Sequence, residues 1–176
     1  MIRVHRRTPL LTALEQARET GYPAGEYVGQ ESFMRAAEIR RLARQARVGP
    51  GVPVLDLCCG VAGPGRMITA ELGCRYLGVD HSASALATAR QLAGNLPCRF
   101  EQAHLPPLPD GRFEVVFLLE TMLAFPDKGA LVGEVARVLK PGGGSLSRSR
   151  KAVRSPSRSG PGCPAPIRSG PSSWRN

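Results

Sequence analysis

The stretch Val54-Leu55-Asp56-Leu57-Cys58-Cys59-Gly60-Val61-Ala62-Gly63-Pro64-Gly65-Arg66 constrains this chain more than any other. A short apolar run with one acid inside it passes into small residues and then opens a helical pattern. That order predicts a buried strand, a tight turn and a helix N-terminus. Open α/β sheets bind ligands at such a junction. Small residues there let the backbone approach a ligand closely.

Two kinds of ligand suit the turn. A dinucleotide rests its pyrophosphate on free helix N–H groups. Here Asp56 stands at the strand end and repels a phosphate, and Pro64 removes an N–H from the first helical turn. Cys58 also occupies the first glycine position of G-x-G-x-x-G. A cationic cofactor gains from the same acid, so the residues favour S-adenosyl-L-methionine (SAM) over NAD. A second acid, Asp80, closes the apolar run Tyr76-Leu77-Gly78-Val79. A carboxylate at that place accepts ribose hydroxyls; it supports an adenosine ligand without choosing between the two cofactors.

Four segments then occur in order: Val54-Leu55-Asp56-Leu57-Cys58-Cys59-Gly60, Gly78-Val79-Asp80-His81-Ser82, Leu108-Pro109-Asp110-Gly111-Arg112-Phe113-Glu114 and Arg137-Val138-Leu139-Lys140-Pro141-Gly142-Gly143. Together they resemble a class I SAM-dependent methyltransferase of the small-molecule type, over roughly residues 25–144. Tyr27-Val28-Gly29-Gln30 and Gly63-Pro64-Gly65-Arg66 are similar to the branch that methylates amines and other small metabolites. The resemblance implies SAM as cofactor, with Asp56, Gly60 and Gly63 around its methionine part, Asp80 on the ribose and His81 beside the adenine. Gln102 and Ala103 fall where the family often has Asp-Ala for the adenine amino group, with His104 as the alternative contact; Gln30 joins the cofactor set. Cys58 and Ala62 replace the first and third motif glycines, and a Cβ there opposes left-handed backbone geometry. Cys58 and Cys59 read as small buried residues rather than redox groups.

For the acceptor, the candidates are Glu120 and Thr121, just past the fourth strand, and Tyr27. Ligand groups collect at the carboxyl ends of parallel strands. Glu120 suits a cationic amine or the work of a base. Tyr27 is placed either to fold over the cofactor or to pack the N-terminal helix. Three functions stay open: methyl transfer to a small-molecule acceptor, an RNA-directed methyltransferase, and a non-catalytic SAM-binding partner protein.

The 176 residues are expected to form one α/β domain, a Rossmann-like parallel sheet flanked by helices and incomplete at its C-terminal strands. N-terminal helices and a cap are expected over 1–48, the SAM-binding core over 49–144, and a disordered basic tail over 145–176. Helices are expected at 9–20 and about 31–47, then at 64–72, 82–93 and 127–139. Strands are expected at 53–58, 75–79, 98–101 and 113–119. Leu10, Leu11 and Leu14 give the first helix an apolar side; Phe33, Ala37 and Leu42 do so for the second, whose arginines form a solvated face.

The net charge of +10 divides unevenly. All 14 acids precede residue 145, leaving +3 on the body and +7 on the tail. No aromatic residues interleave the arginines of the second helix, so no nucleic-acid partner is expected there. No apolar run is long enough for a membrane span. The five cysteines show no C-x-x-C pair and no metal spacing. Scattered thiols suit a reducing, cytoplasmic setting. The oligomeric state is not legible.

After Leu139-Lys140-Pro141-Gly142-Gly143, the family pattern demands another buried strand. This chain continues rich in Arg, Ser, Pro and Gly to Asn176. Such a composition cannot bury a core. With G/C-rich codons, sliding the frame back by one base turns the start of the tail into an alternating apolar strand. The expectation is therefore a truncated or frameshifted methyltransferase, the other reading being a basic arm that meets RNA phosphates.

Overall fold

The computed structural model describes residues 9–148, with the backbone alone for residue 11 and residues 144–148. Five parallel strands form one sheet: β1 (Pro53–Leu57), β2 (Arg75–Asp80), β3 (Cys98–Gln102), β4 (Phe113–Leu119) and β5 (Leu139–Arg148). Their spatial order is β3-β2-β1-β4-β5. β1 is central, paired in register with β2 (Leu55 opposite Leu77) and with β4 (Leu55 opposite Val116). The chain steps to one side of β1 for β2 and β3, then to the other for β4 and β5. The strand order therefore reverses between β1 and β4, which opens a crevice at their carboxyl ends.

The central strands are buried on both faces, which explains their near-continuous apolar runs. Val54, Val115 and Phe117 pack on one face with Met34, Ile39 and Ile68. Leu55, Leu57, Val116 and Leu118 pack on the other with Leu131 and Val138. The connecting helices are α3 (Gly63–Leu72), α4 (Ala83–Ala93) and α5 (Lys128–Val138). Ser82 caps α4 by accepting from Ala85 N, and Asp127 caps α5 by accepting from Ala130 N. Arg137 donates to Glu134, to Asp110 and to the Leu108 carbonyl, which ties the Pro-rich loop to α5.

Three expectations change. The second helix, α2, spans Ala36–Gln45 rather than 31–47, because Glu38 reaches back to accept from Arg35 N and starts the helix there. Residues 31–35 instead belong to a non-helical lip, running from Gly29 to Arg35, at the carboxyl ends of the strands. The inward face of α2 shifts accordingly: Ala36, Ile39 and Ala43 are buried, whereas Ala37 is exposed and Phe33 is 72% exposed. On α1 (Pro9–Thr20), Leu10 and Leu14 are exposed, at 69% and 47%.

The third change concerns the expected tail boundary, which falls inside β5. Val115 to Leu119 pair with Gly144 to Arg148 in parallel register, so β4 is flanked on both sides, by β1 and β5. The ladder is made of backbone groups, which Gly and Ser supply as well as apolar residues do. Residues 149–176, the rest of the expected tail, lie outside the described residues.

Candidate functional site

A cavity of about 440 Å³ lies in the crevice between β1 and β4. Asp56 to Val61 line it from the turn after β1, and Leu119 to Thr121 from the end of β4. Gly29 to Phe33, on the lip, close the third side, and Leu123 completes the rim. Three carboxylates line it, those of Glu31, Asp56 and Glu120, and among the described lining residues there is no Lys or Arg.

Asp56 is almost fully buried, and its Oδ2 accepts a 2.6 Å hydrogen bond from the Tyr76 hydroxyl. Desolvation pushes its pKa from 3.8 up to about 7; the Tyr76 bond opposes the rise and the nearby Asp80 charge adds to it. A carboxyl with a raised folded pKa stabilises the fold fully below its unfolded pKa and loses that contribution as pH climbs through the folded value. Wild-type protein should therefore lose on the order of a few kcal/mol between about pH 4 and about pH 7 from this group. Urea unfolding across that range should show Asp56→Asn with a flatter pH profile than wild type. Parallel profiles would remove Asp56 from the account.

The turn is strained. Cys58, Ala62 and Glu120 all carry positive φ, at 58°, 55° and 59°. The first two are the positions where the motif favours glycine. At Ala62, relief of a left-handed Cβ is worth about 1–2 kcal/mol, offset by about 0.8 kcal/mol for the lost buried methyl and by glycine's backbone entropy. Ala62→Gly should therefore melt within a few degrees of wild type. Ala62→Val, β-branched at the same φ, should lose at least about 2 kcal/mol; equal melting of the two variants would refute the strain assignment.

The thiols sit in the same turn and are inert. Burial pushes Cys58 up to about 11, helped by the charges of Asp80 and Asp56 and opposed by the Thr121 hydroxyl beside it. Burial likewise raises Cys59 well above the ordinary thiol range. Both stay protonated near neutrality, as expected of packing residues.

Of the residues named from sequence, Asp56, Cys58, Gly60, Gln30, Glu120 and Thr121 line the cavity together. Gln30 does so as a strut: its Oε1 accepts from Val28 N at 2.6 Å, and its Nε2 donates to the carbonyls of Glu26 and Met34. Its amide is committed to shaping the lip. Gly63 is not on the cavity wall. A Cβ there would collide with the Val28 carbonyl and stand 2.6 Å from the Gly29 carbonyl carbon, so this glycine lets the lip backbone rest on the start of α3.

A second group gathers across the Gly60 turn. Asp80 Oδ2 accepts from Gly60 N, and its Oδ1 accepts from Ser82 N, both at 2.8 Å. Each carboxylate oxygen keeps further lone-pair capacity. The rings of His81 and His104 lie 6.0 Å apart, so both adenine candidates flank one shelf. Gln102 Nε2 donates to the His81 carbonyl, which leaves the amide oxygen as an acceptor, and Ala103 N donates to the Asp80 carbonyl. Tyr27 stands apart, its ring 5.5 Å from that of Tyr22, in the packing of the N-terminal segment.

The lining residues that escape the sequence reading as site residues include Glu31, Ser32, Phe33 and Leu123. Glu31, Ser32 and Phe33 fall in what reads as the start of a helix, and the early end of that pattern shows only once Glu38 caps Arg35. Leu123 sits in a 3₁₀ turn, Met122–Ala124, and carries no chemical signal. Among the described residues, no group of His, Cys, Asp and Glu is arranged to hold a metal ion, and no helix is long and apolar enough to cross a membrane.

Comparison with known proteins gives a family and several relatives. A family model described as "Methyltransferase domain" matches residues 54–143. The sterol 24-C-methyltransferase of Schizosaccharomyces pombe is 32% identical over 108 residues, covering 58% of this chain and 29% of that protein. The 2-methyl-6-phytyl-1,4-hydroquinone methyltransferase of Synechocystis is 34% identical over 97 residues, 53% of this chain and 30% of that protein. The chain thus covers about three-tenths of the length of these curated relatives. A SAM-dependent methyltransferase of Geobacter sulfurreducens, solved with S-adenosyl-L-homocysteine, shares the fold with a TM-score of 0.59 at 20% identity, covering 74% of this chain and 52% of that one.

Proposed function

We propose, since this chain belongs to the methyltransferase domain family, that it binds SAM and directs transfer of a methyl group to a small-molecule acceptor. The observation that carries this reading is the cavity at the β1/β4 reversal, walled by three carboxylates and by no Lys or Arg among the described residues. That chemistry fits a cation and opposes a phosphate. SAM supplies a methyl group on a sulfonium, already activated for displacement by a nucleophile. The protein's share is then to orient the partners and keep water away.

The residues divide that work. Asp80, His81, Gln102 and Ala103 form the adenosine shelf. Asp56, Cys58 and Gly60 form the floor of the cavity. Glu120 and Thr121 face the acceptor side from the end of β4, where Glu120 holds a cationic amine or takes the acceptor's proton. Phe33 and Leu123, exposed at 72% and 73%, rim the same cavity. An acceptor with an apolar body gains most from covering them. The sterol and phytyl-hydroquinone methyltransferases among the relatives are named for acceptors of that kind, which supports the apolar choice.

Equilibrium dialysis with SAM and S-adenosylhomocysteine tests the cofactor reading. Labelled methyl transfer to a panel of apolar phenols and hydrophobic amines tests the acceptor reading. Saturable binding with label entering the organic phase is expected. Protein with native circular dichroism that binds neither nucleoside would overturn the proposal.

A further inference from the structure

The cavity's three carboxylates are not equivalent. Asp56 Oδ2 already accepts from the Tyr76 hydroxyl at 2.6 Å, in a buried position where burial favours the neutral acid. Glu120 Oε2 accepts from Phe33 N at 2.6 Å and so ties the lip to the end of β4. Glu31 differs from both. Its side chain is 64% exposed, and its Oε1 meets the Arg18 guanidinium at 3.5 Å, a long surface pair that another cation can replace. Its Oε2 faces the glycine turn: a Cβ built at Gly60 would stand 3.8 Å from it.

Glu31 also stands on a wall between two cavities. One is the 440 Å³ crevice; the other, about 450 Å³, is lined by Arg18, Tyr22 and Arg35 and shares the lip residues Gln30 to Phe33. The lip is braced from both ends. Gln30 binds the backbone at Val28, Glu26 and Met34, and the Tyr22 hydroxyl donates to the Ser32 carbonyl. The carboxylate therefore projects from a fixed backbone. On the far side of the turn, Asp80 holds Gly60 N. A ligand with its ribose at Asp80 that continues across Gly60 next reaches Glu31.

We propose that Glu31 receives the ammonium group of the cofactor's amino-acid end, exchanging Arg18 for it, and so selects nucleosides that carry this cation. The proposal rests on the SAM reading above. Arg18 and Arg35 line the neighbouring cavity, whereas no Lys or Arg lines the crevice among the described residues, and there the Glu120 carboxylate adds to the pull of Glu31 on an entering cation.

Titration calorimetry of wild type and Glu31→Gln against three probes tests it: SAM, S-adenosylhomocysteine and 5′-methylthioadenosine. The first two carry the ammonium; the third lacks the amino-acid end altogether. Glu31→Gln should weaken SAM and S-adenosylhomocysteine each by about tenfold and leave methylthioadenosine unchanged, with the melting temperature held. Equal loss on all three probes would assign Glu31 a structural role and overturn the proposal. So would loss confined to SAM, which would place Glu31 at the sulfonium, or no loss at all. Failure of wild type to bind any of the three would instead bring down the SAM reading, and this proposal with it.

Discussion

Asp80→Ala should abolish useful cofactor binding, lowering affinity by roughly 100-fold or more, because two charge-assisted hydrogen bonds of about 1.5–3 kcal/mol each depend on that carboxylate. Within the protein, it accepts from Gly60 N and Ser82 N, so it fixes both the glycine turn and the entry to α4. In the proposed complex it also accepts from the ribose. The variant therefore loses a direct contact and the shape of the site together. Asp80→Asn separates the two: the amide keeps one acceptor oxygen for the turn but carries no charge. We expect Asn to recover part of the thermal stability, through the one N–H it can still accept from, and little of the SAM affinity, read by calorimetry beside a thermal melt. An alanine variant that stays folded and binds SAM like wild type would eliminate the adenosine shelf as drawn here.

The second large effect is structural. Gly65→Ala should cost about 3 kcal/mol or more and lower the melting temperature by roughly 10 °C. A Cβ at residue 65 would collide with the edge of the Tyr76 ring and its hydroxyl. That ring cannot retreat: it is buried, it stands edge-on to Phe100 at 6.0 Å, and its hydroxyl holds Asp56. Displacing it leaves a buried carboxyl without its donor, a penalty that adds to the clash. Replacing Tyr76 with Val in the same chain should recover part of the packing loss but not the Asp56 bond. The double variant should therefore melt above Gly65→Ala and below wild type. A single Gly65→Ala that melts within two degrees of wild type would show that α3 shifts freely and that Tyr76 does not fix its position.

The strand-turn-helix around Asp56, the strand that ends in Asp80 and the alternation of strands with helices are legible because hydrophobic period and turn chemistry are local. The boundaries of β4 at Phe113–Leu119 and of the Ser82 cap follow for the same reason. The lip is different. Residues 31–35 read as the start of a helix, and only the reach of Glu38 back to Arg35 N ends that pattern. The roles of Gln30 and Gly63 also change once partners are visible. One side chain braces the backbone, and one missing side chain makes room for it.

By itself, the sequence determined the family-level architecture, the acid at each of two strand ends and the choice of a cationic cofactor over a phosphate, since each depends on residue type and near-neighbour spacing. The tertiary structure decided which carboxylates face the cavity, that Asp56 shares its site with Tyr76, that β5 covers β4 and that Glu31 overhangs Gly60. Those facts depend on which distant segments share a volume and on how much water remains there. Sequence spacing carries neither, because desolvation and close packing are properties of contacts between elements far apart in the chain.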